Sequence, residues 1–178
     1  MTERREENEF ALIWKTPASA TAITTAWKVL KGRLPTVDNL RRRQVVLQPA
    51  ACCVLCNSSE ESIDHLFFSC HKSDEIWKSI FLWIDKQSVC HTKAKNHLNA
   101  FINLGNKDDL SFLLQVWIGT VWCIWKWRND CIFNQGNWNK ERVVSEIKAK
   151  IWSWLLAFNL PKSPAVFNRW FNVVSLLG

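Results

Sequence analysis

The sequence contains no tyrosine, and only five glycines and five prolines occur among its 178 residues. Glycine and proline mark turns and helix ends, so their scarcity indicates long regular segments with few irregular connections. No apolar run approaches the roughly 20 residues that a membrane-spanning helix needs, and we expect no membrane partner. Hydrophobic residues make up 48% and charged residues 22%, which is typical of a folded globular chain.

Sequence motifs of several common enzyme classes are also missing. The chain has no glycine-rich phosphate loop, no HExxH pair and no G-x-S-x-G nucleophile turn. These absences exclude P-loop nucleotidases, HExxH metalloproteases and hydrolases with a G-x-S-x-G nucleophile. We therefore expect a non-catalytic protein that has no small-molecule substrate.

Twelve tryptophans supply most of the large aromatic area beside ten phenylalanines. Trp adds apolar area and needs only one partner for its ring N–H, so we expect most of these rings in a core. The string Trp122-x-x-Trp125-x-Trp127 lies beside Lys126 and Arg128. Aromatic rings next to cations can stack nucleic-acid bases, but the helical spacing of these three rings favours burial.

Seven cysteines and four histidines carry the clearest chemical signal. The first ten residues, MTERREENEF, are charged and lack the apolar segment of a secretory signal. We therefore expect an intracellular, reducing compartment, with nucleus and cytoplasm both open. In such a compartment cysteine and histidine at metal spacing indicate zinc rather than disulfides.

Four of these side chains follow the spacing C-x2-C-x8-H-x4-C. They are Cys53, Cys56, His65 and Cys70. Three thiolates and one imidazole complete the tetrahedral coordination of Zn²⁺ and leave no position for a substrate, so the spacing predicts a structural zinc site. Cys52 and His71 each lie one residue from a predicted ligand. Cys52 would open a looser C-x3-C turn, which favours Cys53.

The helix that carries His65 needs a distortion near its end. We expect this helix to begin at Glu60, capped by Ser59, with Glu61 solvated in its first turn or orienting the His65 ring. His65 and Cys70 are five residues apart, which places them about 140° out of alignment on an ideal helix. Both can reach one metal only if the helix tightens, bends or ends before Cys70.

Helical periodicity extends along the chain and predicts an all-α fold, in which a small zinc-bound helical module precedes a bundle of long Trp-rich helices. The predicted helices begin near residues 19, 36, 60, 73, 92, 109 and 139, and Pro161 ends the last one. We predict a frayed N-terminus at 1–18, a zinc-binding module at 19–86, a connector at 87–107 and a C-terminal helical region at 108–178.

The net charge of +7 is unevenly distributed: residues 1–50 carry +4, residues 51–88 carry −3 and residues 89–178 carry +6. The zinc segment is therefore acidic, and phosphate contacts would come from basic residues outside it. The candidates are Arg33, Arg41, Arg42 and Arg43. Three consecutive arginines fan over about 200° of a helix, so at least one should pair locally. A solvated face with local ion pairs is the alternative.

Several short motifs occur in a fixed order between Ala26 and Ile80. They are Trp27-Lys28, Arg33-Leu34-Pro35-Thr36-x-Asp38-Asn39-Leu40-x-Arg42-Arg43, Cys53-x-x-Cys56, Glu61-Ser62-x-x-His65-Leu66-Phe67-Phe68, Cys70 and Trp77. This series resembles the zinc-binding domain that follows the reverse transcriptase in plant non-LTR (LINE-type) retroelement polyproteins. The later string Trp122-x-x-Trp125-x-x-Arg128-Asn129, followed by Ile132-Phe133, resembles the helical connector after that domain.

The resemblance implies a retroelement-derived module, separated from its enzyme, with a structural zinc ion and a role in binding element RNA or DNA. Without tyrosine no polymerase YxDD motif is possible, and beyond Asp109 only Asp130, Glu141 and Glu146 could serve a nuclease. The leading hypothesis is therefore a nucleic-acid-binding accessory module. The alternative is a spacer between polymerase and nuclease that binds a reverse transcriptase or another protein and no nucleic acid.

Overall fold

The computed structural model describes residues 11–45, 52–88 and 91–158. Within these ranges the regular structure is helical, and extended backbone pairs only at an isolated antiparallel bridge between Cys52 and Glu60. The predicted all-α class is confirmed, with a Cys and His cluster followed by long helices. No described helix combines the length and hydropathy that crossing a bilayer requires.

Six of the seven predicted helices start within two residues of the predicted positions, and the one that carries His65 starts at residue 63 rather than near 60. They are α1 (Ala20–Leu30), α2 (Val37–Arg42), a π-helical turn (His65–Ser69), α3 (His71–Ile84), α4 (Ala94–Ile102), α5 (Leu110–Phe133) and α6 (Lys140–Ala157). Residues 11–15 are helical as well. The last helix ends at Ala157, whereas Pro161, its predicted end, lies outside the described residues.

One hydrophobic core runs from Ile13 to Leu155 and includes side chains from α1 and from α3 to α6. Helix α5 lies in its middle and packs against α1, α4 and α6. Every residue from 113 to 121 is buried, as the wide apolar stripe of this helix predicts. At Gly119 an added Cβ would lie 3.2 Å from Ile151, so the missing side chain lets α6 approach α5 closely.

Residues 11–18 differ from the frayed N-terminus that we expected at 1–18. Ile13 is fully buried, and the Gln115 side-chain amide of α5 donates a hydrogen bond of 2.6 Å to the Pro17 carbonyl. Apolar side chains in this segment therefore join the core. The division of the chain into domains stays a prediction, although the core is continuous across the expected boundaries near 87 and 108.

The connection between α1 and α2 sets the zinc segment in place. Gly32 follows α1 with a φ of 65°, the left-handed conformation that glycine adopts without strain. The Asn39 side-chain amide donates to the carbonyls of Gly32 and Leu34 at 2.9 and 2.8 Å. The Asp38 backbone N–H then donates to the Glu61 carbonyl at 3.1 Å. Helix α2 is thereby fixed between the end of α1 and the residues that precede the π-helical turn.

Candidate metal centre

Four Cys and His side chains from two stretches of chain converge at one point. The thiols of Cys53, Cys56 and Cys70 and the imidazole of His65 have ligand atoms within 4.8 Å of one another. The distance from Cys56 Sγ to His65 Nε2 is 3.2 Å. Bonds of about 2.3 Å to sulfur and about 2.0 Å to nitrogen put the ligand atoms of a tetrahedral zinc about 3.5–3.8 Å apart. The donor set and its spacing are therefore suited to holding Zn²⁺.

A tight turn presents the first two sulfurs. The Cys53 N–H donates to the Ser59 carbonyl, and the Asn57 N–H donates to the Cys53 carbonyl, both at 2.7 Å. Asn57 has a φ of 53°, the left-handed conformation that asparagine tolerates better than most residues. The Ser58 hydroxyl donates to Cys56 Sγ at 3.2 Å. Backbone and side-chain hydrogen bonds thus hold both sulfurs toward the same point.

The π-helical turn presents the other two ligands. Its closing hydrogen bond runs from the Cys70 N–H to the His65 carbonyl at 2.7 Å, across five residues rather than four. A π-helical turn widens the helix locally, and this is the distortion that the five-residue spacing predicts. The helix begins at residue 63, because Glu60 pairs with Cys52 as extended backbone. The Ser62 hydroxyl accepts the His65 N–H at 3.1 Å, so the predicted start at Glu60 is wrong.

The cluster lies at the edge of the core. Cys53 and Cys70 are fully buried, whereas Cys56 and His65 are half-buried. The hydrogen bond with Cys70, together with burial, raises the pKa of Cys53, and the same hydrogen bond lowers the pKa of Cys70. Burial lowers the pKa of His65, which favours the neutral imidazole that binds metals. Zinc would take the place of the thiol protons.

Residues 1–77 match the family model described as zinc-binding in reverse transcriptase. The matched range contains the whole Cys and His cluster, and it supports a reverse transcriptase zinc-binding domain in this part of the chain. No curated protein and no solved structure matches the chain. A plant LINE-type source and a connector after the domain stay predictions.

The other Cys and His side chains of the described residues lie outside the cluster. Cys52 is exposed, and His71 is exposed at the first position of α3. This geometry agrees with the preference for Cys53 over Cys52. Cys123 is buried in α5, where burial raises its pKa to about 12, so its thiol packs as a small apolar group. Cys90 lies outside the described residues.

A buried ion pair joins the zinc segment to α5, and sequence reasoning missed it. Glu61 is fully buried, and the Nε and Nη2 atoms of Arg128 donate to its two carboxylate oxygens at 3.0 and 2.6 Å. The Val37 N–H donates to the same carboxylate at 3.1 Å. Glu61 is therefore not solvated as we expected, and its recorded hydrogen bonds go to Arg128 and Val37 rather than to the His65 ring. One indication of this pair lay in the sequence, since Glu61 and Arg128 both belong to the motifs that carry the family resemblance.

The four arginines proposed for phosphate contact are all exposed. They are Arg33, Arg41, Arg42 and Arg43. Arg41 pairs with Glu60 at 2.5 Å and Arg42 pairs with Asp38 at 3.1 Å, so the expected local pairing is confirmed. Exposed ion pairs contribute only about 0–1 kcal/mol. The pairing therefore leaves these guanidinium groups able to exchange a carboxylate for a phosphate.

The three Trp residues of α5 that we expected in the core differ in burial. Trp127 is buried and donates its ring N–H to Glu146 at 2.9 Å. Trp122 and Trp125 pack against the core but remain half-buried. Their expected burial is therefore incomplete, because one side of α5 is left open between α1 and α6.

Proposed function

We propose that this chain is a retroelement-derived, non-catalytic accessory module, folded around a structural Zn²⁺, that binds RNA or DNA through basic residues flanking the zinc site. The observation that supports this proposal most strongly is the cluster of three Cys and one His within residues 1–77, the range that matches the family model. The ligands would be Cys53, Cys56, His65 and Cys70. Four protein ligands leave no open coordination position, so the metal would stabilise the fold and perform no chemistry. Reduced thiols also require a reducing compartment.

The ordered motifs between Ala26 and Ile80 support a plant LINE-type element as the source. The later Trp and Arg string supports a connector that follows the zinc domain. Neither assignment changes the chemistry of the proposed zinc site. Both predict that the nearest relatives of the chain lie downstream of a polymerase, where a nucleic-acid template is close by.

The charge distribution supports phosphate contacts beside the zinc site rather than on it. Residues 51–88 carry −3, and a zinc ion with three thiolates and one neutral imidazole adds a further negative charge. The exposed arginines of the α1–α2 connection and of α2 lie outside this acidic segment. Arg41 and Arg42 occupy the last turn of α2, and Arg43 follows it. They are the closest cations in sequence before the metal ligands.

Binding of the zinc-loaded chain to labelled single-stranded RNA, measured by fluorescence anisotropy, tests this proposal. We expect affinity to fall steeply with salt, and the triple variant Arg41→Ala, Arg42→Ala, Arg43→Ala to bind more weakly with a shallower salt dependence. Each lost phosphate contact should reduce the slope by about 0.7 for a single strand. The matched control removes the same number of positive charges outside α2, at Lys78, Lys107 and Lys140. It should bind more tightly than the arginine variant.

A second function, docking of a reverse transcriptase or another protein, is favoured by exposed apolar side chains on the helices. Leu82 is 83% exposed and Phe133 is 74% exposed. Absence of RNA and DNA binding at about 50 mM salt, where electrostatic binding is strong, would contradict the nucleic-acid proposal and leave this second function.

A further inference from the structure

A groove of about 630 Å³ lies between α1 and α5. We call it the α1–α5 groove. Its lining includes Thr24 and Lys28 of α1 and Trp122, Trp125, Lys126 and Asn129 of α5. The groove is formed by helices on both sides of the zinc segment in sequence, and its α5 wall lies beyond residues 1–77, the range that the family model matches.

The α5 wall of the groove is the open side of an otherwise buried helix. Between residues 121 and 129, the positions that are not buried are 122, 125, 126 and 129. The spacing i, i+3, i+4, i+7 places them on one face. The open face of a helix is normally polar, yet two of these four positions carry tryptophan. Two half-buried indoles side by side indicate a surface that contacts another molecule.

Cations lie beside both rings: the Arg128 guanidinium lies 4.9 Å from the centre of the Trp125 ring, and lysines lie near Trp122. Lys126 and Lys150 place their Nζ atoms 6.0 and 5.1 Å from the centre of the Trp122 ring. Lys28 faces them from α1. The nearby carboxylates are Asp130, which lines the groove, and Glu146, which pairs with Lys126. Three ammonium groups against two carboxylates leave the groove cationic.

The indole N–H groups also distinguish these two rings from three buried rings of the core. Trp77, Trp117 and Trp127 each donate a hydrogen bond to a recorded acceptor at 2.8–3.1 Å. For Trp122 and Trp125 no acceptor is recorded among the described residues, and neither N–H belongs to the buried polar atoms that lack a partner. Both donors are therefore open to an acceptor from outside the chain.

We propose that the α1–α5 groove binds single-stranded nucleic acid, with bases stacked on Trp122 and Trp125 and phosphates held by Lys28, Lys126 and Lys150. Proteins that bind single-stranded nucleic acids without sequence preference use a cationic groove with aromatic side chains on which the bases stack. A base supplies the flat ring and the hydrogen-bond acceptors, and its phosphate supplies the negative charge. The inference rests on the proposed function and adds a second contact surface, apart from the arginines of α2.

The test uses the zinc-loaded full chain and a dye-labelled oligouridine of about 12 nucleotides, a length within the usual site size. We expect Trp122→Ala to weaken binding about tenfold, because one stacked base is lost. Lys28→Glu should weaken it by a similar factor through charge. The matched control is Lys107→Glu, which makes the same charge change just before α5, about 20 Å along the helix from Trp122 and Trp125, and should bind like the unmodified chain.

A structural effect is separated from a binding effect by two further measurements. Lys28 is exposed, so Lys28→Glu should keep the circular dichroism spectrum and melting temperature even where Trp122→Ala loosens the packing. In the unmodified chain, photocrosslinking of a 4-thiouridine oligonucleotide should place the label within residues 122–129. Label confined to α2 would overturn the groove assignment.

The outcomes distinguish this inference from the proposed function. If the arginine variant of α2 loses affinity while Trp122→Ala and Lys28→Glu bind normally, the proposal for the α1–α5 groove is overturned and the proposed function stands. If the unmodified chain binds neither RNA nor DNA, both are overturned. Weakening by both groove variants, with Lys107→Glu unchanged, supports the groove.

Discussion

Glu61 and Arg128 are 67 residues apart in sequence and form the one recorded ion pair of the described residues in which both side chains are almost fully buried. Their side chains are 1% and 6% exposed. Two hydrogen bonds join the guanidinium to the carboxylate, and a backbone N–H occupies the same carboxylate. Such a pair offsets its desolvation only while both partners are present. The zinc segment and α5 therefore depend on each other at this point.

We predict that Glu61→Ala lowers the free energy of unfolding by about 3–5 kcal/mol, because it leaves the Arg128 charge buried and unpaired. Urea denaturation in excess zinc measures the loss. Glu60→Ala is the control, since Glu60 makes an exposed pair with Arg41 and should cost less than about 1 kcal/mol. The double variant Glu61→Leu, Arg128→Met should recover much of the loss. Equal costs for Glu61→Ala and Glu60→Ala would contradict the prediction.

His97 of α4 is a titratable side chain enclosed by aromatic rings. It is 2% exposed, and its ring centre lies 4.3 Å from that of Trp77 and 4.8 Å from that of Phe68. Its Nδ1 accepts the Trp117 ring N–H at 3.1 Å. Burial, with a smaller effect from His91, lowers the pKa of His97 to about 4. The imidazole is therefore neutral in the folded chain.

This lowered pKa predicts acid sensitivity. An unfolded histidine has a pKa of about 6.5, so between pH 6.5 and 4 the unfolded state binds more protons and the fold loses stability as pH falls. The shift amounts to about 3 kcal/mol. Between pH 6.5 and 4, the free energy of unfolding of the unmodified chain should therefore fall by about 3 kcal/mol more than that of His97→Gln. Protonation of the zinc ligands affects both proteins and cancels, and His91→Gln should keep most of the pH dependence, because burial is the larger cause of the lowered pKa of His97.

At the scale of single elements, α6 begins with a side-chain cap. Asn139 Oδ1 accepts the Arg142 N–H at 2.7 Å, which satisfies a backbone donor that has no partner within the helix. We predict that Asn139→Ala lowers the free energy of unfolding by about 1 kcal/mol. Asn137→Ala is the matched control, because Asn137 is exposed before the helix. A chemical denaturation series measures both, and equal stabilities would contradict the capping role.

The elements that could be predicted from sequence are those whose causes are local. The five-residue spacing from His65 to Cys70 requires a widened turn, because two ligands of one metal cannot be about 140° apart on a helix. The start of α6 follows from its cap residue Asn139, whereas Ser19 and Asp109 precede α1 and α5 without a side-chain capping hydrogen bond. The burial of Glu61 could not be predicted, because its partner Arg128 is brought close only by the packing of α5. The open face of α5 could not be predicted either, for the same reason. Helical periodicity places Trp122 on an apolar face, but it does not show which neighbouring helix leaves the ring half-buried.

At the scale of the whole molecule, two of the four proposed zinc ligands belong to the same core as the long helices. Cys53 and Cys70 are fully buried members of the core that extends from Ile13 to Leu155. Phe67, within the π-helical turn, lies 6.4 Å from the Trp125 ring of α5. The Trp77 ring N–H of α3 donates to the Phe67 carbonyl at 2.8 Å. Loss of the metal would therefore disturb packing well beyond the zinc segment.

We predict that chelation of zinc, or Cys56→Ser, lowers the melting temperature of the whole chain in one transition, on the order of 10 °C or more. Cys56 is half-buried, so its substitution removes a ligand without opening a large cavity. Cys52→Ser is the control, because Cys52 is exposed beside the cluster and should leave melting unchanged. Calorimetry and circular dichroism measure the transition, and metal analysis should find one zinc per chain in the control and less in Cys56→Ser. A C-terminal half that melts separately at an unchanged temperature would contradict the single core, because an independent half would not feel the lost ligand.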